Sequence, residues 1–304
     1  MKKLLIAGIL ICLCGCSSTP SASQNTAEVT ASPVSEQEKE IDTGYGISMI
    51  LPGTFSKKDR ENCDFSYSDG KLNIIGLSES REYLACIGKD PDMDLQAYAA
   101  DLYKGMDITE ISDNRAAVED TYQNYYEYQV VMEGDDRFWT VGFIQDDYDD
   151  QTITQIKELA LNKTYVNGNL PSERYTYRCR KIRIDLPRQF EYSAENDYEE
   201  LSCGFTAVYV YDYSGAADFK QFSIDKNTDI MDVTASVQSF MGETGEIIRL
   251  DSNKAYYSFQ TEDYCLFELL YDYGPGFANV EFLCAPSMKD IMFDLFLDWA
   301  STVN

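Results

Sequence analysis

The 304-residue sequence contains no histidine. That absence removes the Ser-His-Asp and Cys-His nucleophile systems, imidazole-ligated zinc and a histidine proton switch, and leaves carboxylate, tyrosine, lysine or cysteine chemistry open. Basic residues are scarce: 25 Lys and Arg stand against 52 Asp and Glu, a formal net charge of −27. Nucleic acid is excluded as a partner, since neutralising phosphates needs an excess of cations, and so is polybasic adhesion to anionic lipid. Long hydrophobic runs are also lacking. The apolar run Leu4–Leu13 is half the roughly 20 residues that a membrane-spanning helix needs. What is present, 44% hydrophobic and 13% aromatic residues, is the composition of a folded protein. The length suits two domains.

Met1-Lys2-Lys3 followed by Leu4–Leu13 reads as a secretory signal peptide over residues 1–15. It closes with Leu13-Cys14-Gly15-Cys16, an aliphatic residue, two small residues and a cysteine. These four resemble the lipobox of bacterial lipoproteins, with Cys14 where Ala, Ser or Thr is usual. The resemblance implies that Cys16 carries a diacylglycerol and becomes the first mature residue; two acyl chains suffice for stable anchoring at the extracytoplasmic face of the cell membrane. Residues 16–42 then read as a flexible tether. Nine of the nineteen residues Ser17–Ser35 are Ser or Thr, with Pro20 and Pro33 and too few large apolar groups to form a core.

The remainder repeats itself. Ile47–Pro52 with Phe55 matches Ile182–Pro187 with Phe190; Asp92 matches Asp229; Tyr125-Tyr126 matches Tyr256-Tyr257; Phe138–Ile144 matches Phe277–Leu283. The common order predicts a tandem duplication, with domains at residues 43–168 and 169–304. The offsets, which dip at the tyrosine pairs, predict about eight extra residues between Tyr257 and Phe277. Charge divides evenly: 24 acids and 11 bases in the first domain, 23 and 11 in the second. Within each copy, alternating strands, a helix opening near Asp94 or Asp229 and a closing helix predict an α+β fold, an antiparallel sheet covered by helices. Leu51-Pro52 with Phe55, Leu186-Pro187 with Phe190, and the final strand and helix of each copy resemble the PsbP-like fold. That resemblance implies accessory or binding modules and brings no catalytic residue with it.

Candidate chemistry is limited. Asp90, Asp92, Asp94 and Asp101 have partial calcium-loop spacing, but Leu95 occupies the position that requires a sharp turn, so helix capping is the reading. Asp146, Asp147, Asp149 and Asp150 form a second cluster that suits a helix N-terminus and is a weak candidate for a divalent cation. Arg174, Arg178, Arg180, Lys181, Arg183 and Arg188 concentrate six of the second copy's eleven bases at the junction, where they are expected to pair with acidic surface of the first copy, the alternative being a local patch for an anion or headgroup. Six cysteines follow Cys16. A hairpin turning at Gly274-Pro275 faces Cys265 to Cys284; Cys63 with Cys86, and then Cys179 with Cys203, follow by elimination as disulfides permitted in an exported protein. Tyrosine runs at Tyr122–Tyr128 and Tyr209–Tyr213 have alternation suited to strands, with one set inward and one set outward. The expected protein is a lipid-anchored extracytoplasmic binding or accessory module. It has no cofactor and no catalytic residue, and its envelope partner is a protein or a glycan. A carboxylate-dependent hydrolase of envelope or extracellular glycans is the rival, and it requires two nearby carboxylates in a cleft, one in an apolar setting.

Overall fold

A computed structural model describes residues 37–122, 124–170 and 174–304. Cys16 and most of the expected tether lie outside them. The described chain is mixed α+β and forms two compact units, one of residues up to Glu79 plus Met93–Pro171, the other of Ser80–Asp92 plus Ser172–Asn304.

The first unit contains β1 (Glu38–Asp42), β2 (Ile47–Pro52), β3 (Ser56–Lys57), β4 (Phe65–Ser68) and β5 (Leu72–Ser80). After the excursion through α1 (Arg81–Cys86) it continues with α2 (Leu95–Leu102), β6 (Ile108–Ser112), β7 (Arg115–Tyr122), β8 (Tyr125–Glu133), β9 (Arg137–Asp146), α3 (Asp150–Asn162) and β10 (Thr164–Val166). Its antiparallel sheet runs β3-β4-β5-β9-β8-β7-β6, beside a smaller sheet β1-β2-β10. The tether expected to reach residue 42 therefore ends by Glu38. Ile41 packs against the core and Lys163 Nζ lies 2.6 Å from Glu38, which gives this strand contacts a polar linker lacks.

The second unit contains β11 (Arg174–Cys179), β12 (Ile182–Pro187), β13 (Glu191–Ala194), β14 (Tyr198–Cys203), β15 (Thr206–Tyr213), α4 (Ala216–Gln221), α5 (Ile230–Met241), β16 (Ile248–Arg249), β17 (Lys254–Gln260), β18 (Cys265–Asp272), β19 (Phe277–Cys284) and α6 (Lys289–Thr302). Its sheet order, β13-β14-β15-β19-β18-β17-β16, repeats that of the first unit element for element.

Strand register corrects the expected drift. Val130 faces Val141 as Leu269 faces Val280, and Ala116 faces Val131 as Ala255 faces Leu270, every pair 139 residues further along. The hairpins match in length. Tyr125-Tyr126 and Tyr256-Tyr257 are not counterparts, because the first pair begins β8 and the second lies on β17, the partner of β7. The true counterparts at the helix starts are Asp94 and Asp229, each a carboxylate that accepts from a first-turn amide. The extra length is in α5, which has twelve residues where α2 has eight, about one helical turn. It stops at Gly242, whose φ of 72° puts it in the left-handed conformation glycine adopts without penalty.

Each sheet buries an alternate set of side chains beneath its closing helix. In the first unit Tyr128, Val130, Val141 and Phe143 pack with Ile156 and Ala160 of α3; in the second Phe267, Leu269, Val280 and Phe282 pack with Phe296 and Trp299 of α6. The opposite face of the second sheet meets α5 through Tyr257, Leu270, Val233 and Val237.

Candidate functional site

The α5 face of the second sheet carries the densest unexplained chemistry in the described residues. Strand register sets one row of side chains straight across five strands: Glu200, Tyr209, Glu281, Glu268 and Tyr257. The next row on that face is Tyr198, Tyr211, Asn279, Leu270 and Ala255. Two glutamates thus oppose each other between flanking tyrosines, an arrangement that repels if both are ionised.

Burial resolves the conflict through protonation. Glu268 is 0% exposed, and neither of its carboxyl oxygens makes a hydrogen bond of good geometry. Loss of water pushes it up to about 9; the Tyr257 hydroxyl nearby partly opposes this, and the charges of Glu243 and Glu281 add to it. Glu281, half-buried, is pushed up to about 7 by desolvation and by Glu243. Tyr257 donates to Glu243 at 2.5 Å, and its phenol is raised by burial and by Glu268. Asn279, 2% exposed, reaches Glu281 through its amide nitrogen at 3.4 Å, while its oxygen has no partner. At neutral pH Glu268 is therefore a neutral acid.

Beside this acidic pair the same sheet face carries a run of tyrosines. Tyr198, Tyr209, Tyr211 and Tyr213 are each half-buried. Tyr198 lies 5.5 Å from Tyr209 in an edge contact and 5.7 Å from Tyr211, and Tyr211 stacks on Tyr213 at 6.4 Å. Burial raises Tyr213 to about 12, with Glu281 and Glu268 adding to it, so this phenol keeps its proton and can donate. The strip presents aromatic faces and hydroxyls next to carboxylates, which suits stacking on sugar rings or on a partner's apolar side chains.

Glu268 and Glu281 oppose each other across β18 and β19, the first in an apolar setting. Two concavities are lined by other residues. One has room of about 10 Å³ among Cys265, Cys284, Lys289 and Phe293, and the other is an open hollow of about 440 Å³ at Gln37, Glu38, Lys39, Gly53 and Thr54. The register that faces Cys265 to Cys284 also faces Glu268 to Glu281, so this acidic pair was legible in the hairpin arithmetic.

The other candidates disperse. Asp90 accepts from the Asp92 amide, Asp94 caps α2, and Asp101 pairs with Lys104 at 3.2 Å. Asp149 caps α3 by accepting from the Thr152 amide, which holds its carboxyl low. Among the described residues no three His, Cys, Asp or Glu side chains converge as metal ligands, so the structure does not bring Asp146, Asp147, Asp149 and Asp150 together. Of the junction bases, Arg174 pairs with Glu82 at 2.5 Å and with Asp298; Glu82 belongs by sequence to the first copy but by packing to the second unit. Arg178 and Arg183 face each other across β11 and β12, and Arg180 donates to the Asn196 carbonyl at 3.0 Å.

Of the six described cysteines, Cys63 is half-buried and the other five are buried. Cys265 faces Cys284 in register. The expected neighbour of Cys86 is corrected: Ser80–Asp92 seats in the second unit, where Cys86 meets Cys203, whereas Cys63 donates to the Arg60 carbonyl at 3.6 Å. Cys179, expected beside Cys203, instead lies near Glu199 and is raised to about 12 by burial.

No family model and no curated protein matches this chain. Among solved structures, it is similar to cyanobacterial PsbP (CyanoP) from Synechocystis sp. PCC 6803, at 11% identity and a TM-score of 0.31 over 46% of this chain and 98% of that one. It is also similar to a protein from Bacteroides thetaiotaomicron VPI-5482, at 10% identity and a TM-score of 0.32 over 78% of this chain and 87% of that one. At such scores neither likeness bears weight. No helix among the described residues is long and apolar enough to cross a membrane.

Proposed function

We propose that this is a lipid-anchored, extracytoplasmic, non-catalytic binding module built by tandem duplication of a PsbP-like α+β domain, and that it contacts its envelope partner through the tyrosine strip on β14 and β15. The observation that carries this reading is the half-buried series Tyr198, Tyr209 and Tyr211, set in adjoining rows of one sheet face beside Glu200 and Glu281. Equal sheet orders and registers support the duplication. Leu13-Cys14-Gly15-Cys16 supports the anchor at Cys16.

A carboxylate hydrolase draws support from the Glu268 and Glu281 pair, but the complete burial of Glu268 counts against its touching a substrate. Two measurements test the reading. Detergent-phase partitioning should retain the intact chain and release Cys16→Ser. Co-sedimentation with insoluble envelope polysaccharide, or crosslinking to a membrane protein, should be lost in Tyr209→Ala/Tyr211→Ala without loss of folding. A double variant that binds both as well as the parent removes the strip from consideration.

A further inference from the structure

Ser80–Asp92 arises between elements of the first unit yet lies within the second. Its seat is specific. Leu84, Ala85 and Cys86 of α1 are fully buried, with Ala85 and Cys86 in the same core as Phe282 and Trp299. The turn Cys203-Gly204-Phe205 closes over the end of the helix: the Phe205 amide donates to the Cys86 carbonyl at 2.9 Å and the Thr206 hydroxyl donates to it at 3.4 Å. A Cβ on Gly204 would meet that same carbonyl oxygen at 2.8 Å, so the two backbones touch where the cysteines sit. The Cys86 thiol is hydrogen-bonded with the Cys203 sulfur, and the two side chains are 0% and 5% exposed.

We propose that Cys86 and Cys203 form a disulfide that fixes Ser80–Asp92 into the second unit. Two Sγ–H bonds are exchanged for one Sγ–Sγ bond, and the two hydrogens pass to a thiol-exchange oxidant, a small-molecule or protein disulfide, which leaves as two thiols. The hydrogen bond with Cys203 and then burial raise the Cys86 thiol, so little thiolate exists once the chain has folded; the bond forms while the core is assembling. The remaining cysteines are engaged elsewhere: Cys63 with the Arg60 carbonyl, Cys179 beside Glu199, and Cys265 facing Cys284. In the cell the bond rests on the exported location proposed above, because reducing compartments keep such pairs open. In vitro it needs only the geometry.

Tryptic mapping separates the possibilities. Cleavage after Arg81 and Lys89, and after Arg188 and Lys220, isolates Cys86 and Cys203 in different peptides, while Cys63 and Cys179 fall in two others. The full chain, purified from membranes without reductant, is blocked with iodoacetamide and digested. A second sample is unfolded, reduced and refolded with glutathione disulfide before blocking. The expected result in both is a linked Cys86–Cys203 peptide pair, about 2 Da below the summed thiol peptides and split by reductant. Alkylated Cys86 and Cys203 in the refolded sample, or Cys86 linked to any other cysteine, overturns the proposal. A link in the refolded sample alone upholds the bond and counts against the exported setting.

Discussion

At one pair of equivalent positions the two units make opposite choices. Where the second sheet sets Glu268 against Glu281, the first sets Gln129 against Gly142, each 139 residues earlier and in the same register. In the first unit Gln129 donates through its amide to Glu127, whose carboxyl is raised by burial and only partly steadied by that bond. The shared scaffold therefore folds with a neutral amide at this point, and the buried acid pair is particular to the second unit. A group kept at a cost in stability, on the face that also carries the tyrosine strip, is where function is to be sought.

The largest expected effect comes from the closing helices. Phe296 is 2% exposed and packs its ring at 5.4 Å from Phe282 and 5.7 Å from Trp299. Phe296→Ala should cost about 4 kcal/mol in denaturant unfolding, through lost transfer energy and the cavity left behind. A loss below about 1 kcal/mol would mean that this core is not packed as described.

The next effect is electrostatic and has the opposite sign. Folding raises Glu268 from the ordinary 4.5 to about 9, so as pH climbs the unfolded chain releases its proton first. Stability is then intact below about pH 4.5 and declines until about pH 9. Glu268→Gln, which copies Gln129, should leave stability unchanged near pH 4 and raise it by about 3 kcal/mol at pH 7. Thermal unfolding as a function of pH reads this directly, and parallel curves for parent and variant would show that Glu268 is not held neutral.

A smaller effect tests the matched helix starts. Asp94 accepts from the Ala97 amide at 2.8 Å, so Asp94→Ala should cost about 1 kcal/mol and Asp94→Ser much less. Equal losses in the two variants would argue that Asp94 acts through its charge and not as a cap.

The sequence made some of this legible and hid the rest for identifiable reasons. Strands that alternate cleanly, such as β5 and β15, and helices opened by Asp94, Asp149 and Asp229 follow from local periodicity and capping. The Cys265 register follows from one tight turn. The matching of Tyr125-Tyr126 to Tyr256-Tyr257 misled because paired tyrosines recur on different strands of the same sheet, and only ladder hydrogen bonds tell β8 from β17. The place of Ser80–Asp92 was invisible because its partners, Arg174, Cys203 and Thr206, lie far along the chain. The acid pair needed both register and burial, and composition alone reads Glu268 as one more solvated charge.

The smallest effect completes the comparison of closing helices. Lys157 stands in α3 where Phe296 stands in α6, 139 residues on, since the helices begin at Asp150 and Lys289. One is a core ring. The other is 37% exposed, with Nζ 2.7 Å from Glu119 and 5.5 Å from the centre of the Tyr128 ring. Water and salt screen this pair, and holding the long side chain costs rotamer entropy, so Lys157→Ala should change stability by only about 0.5 kcal/mol. That difference should shrink further in 1 M salt, whereas the Phe296→Ala loss should persist. A salt-insensitive loss of several kcal/mol in Lys157→Ala would mean that its methylene stem, laid against Tyr128, carries apolar packing comparable to that of Phe296, and that the two closing helices are buried alike.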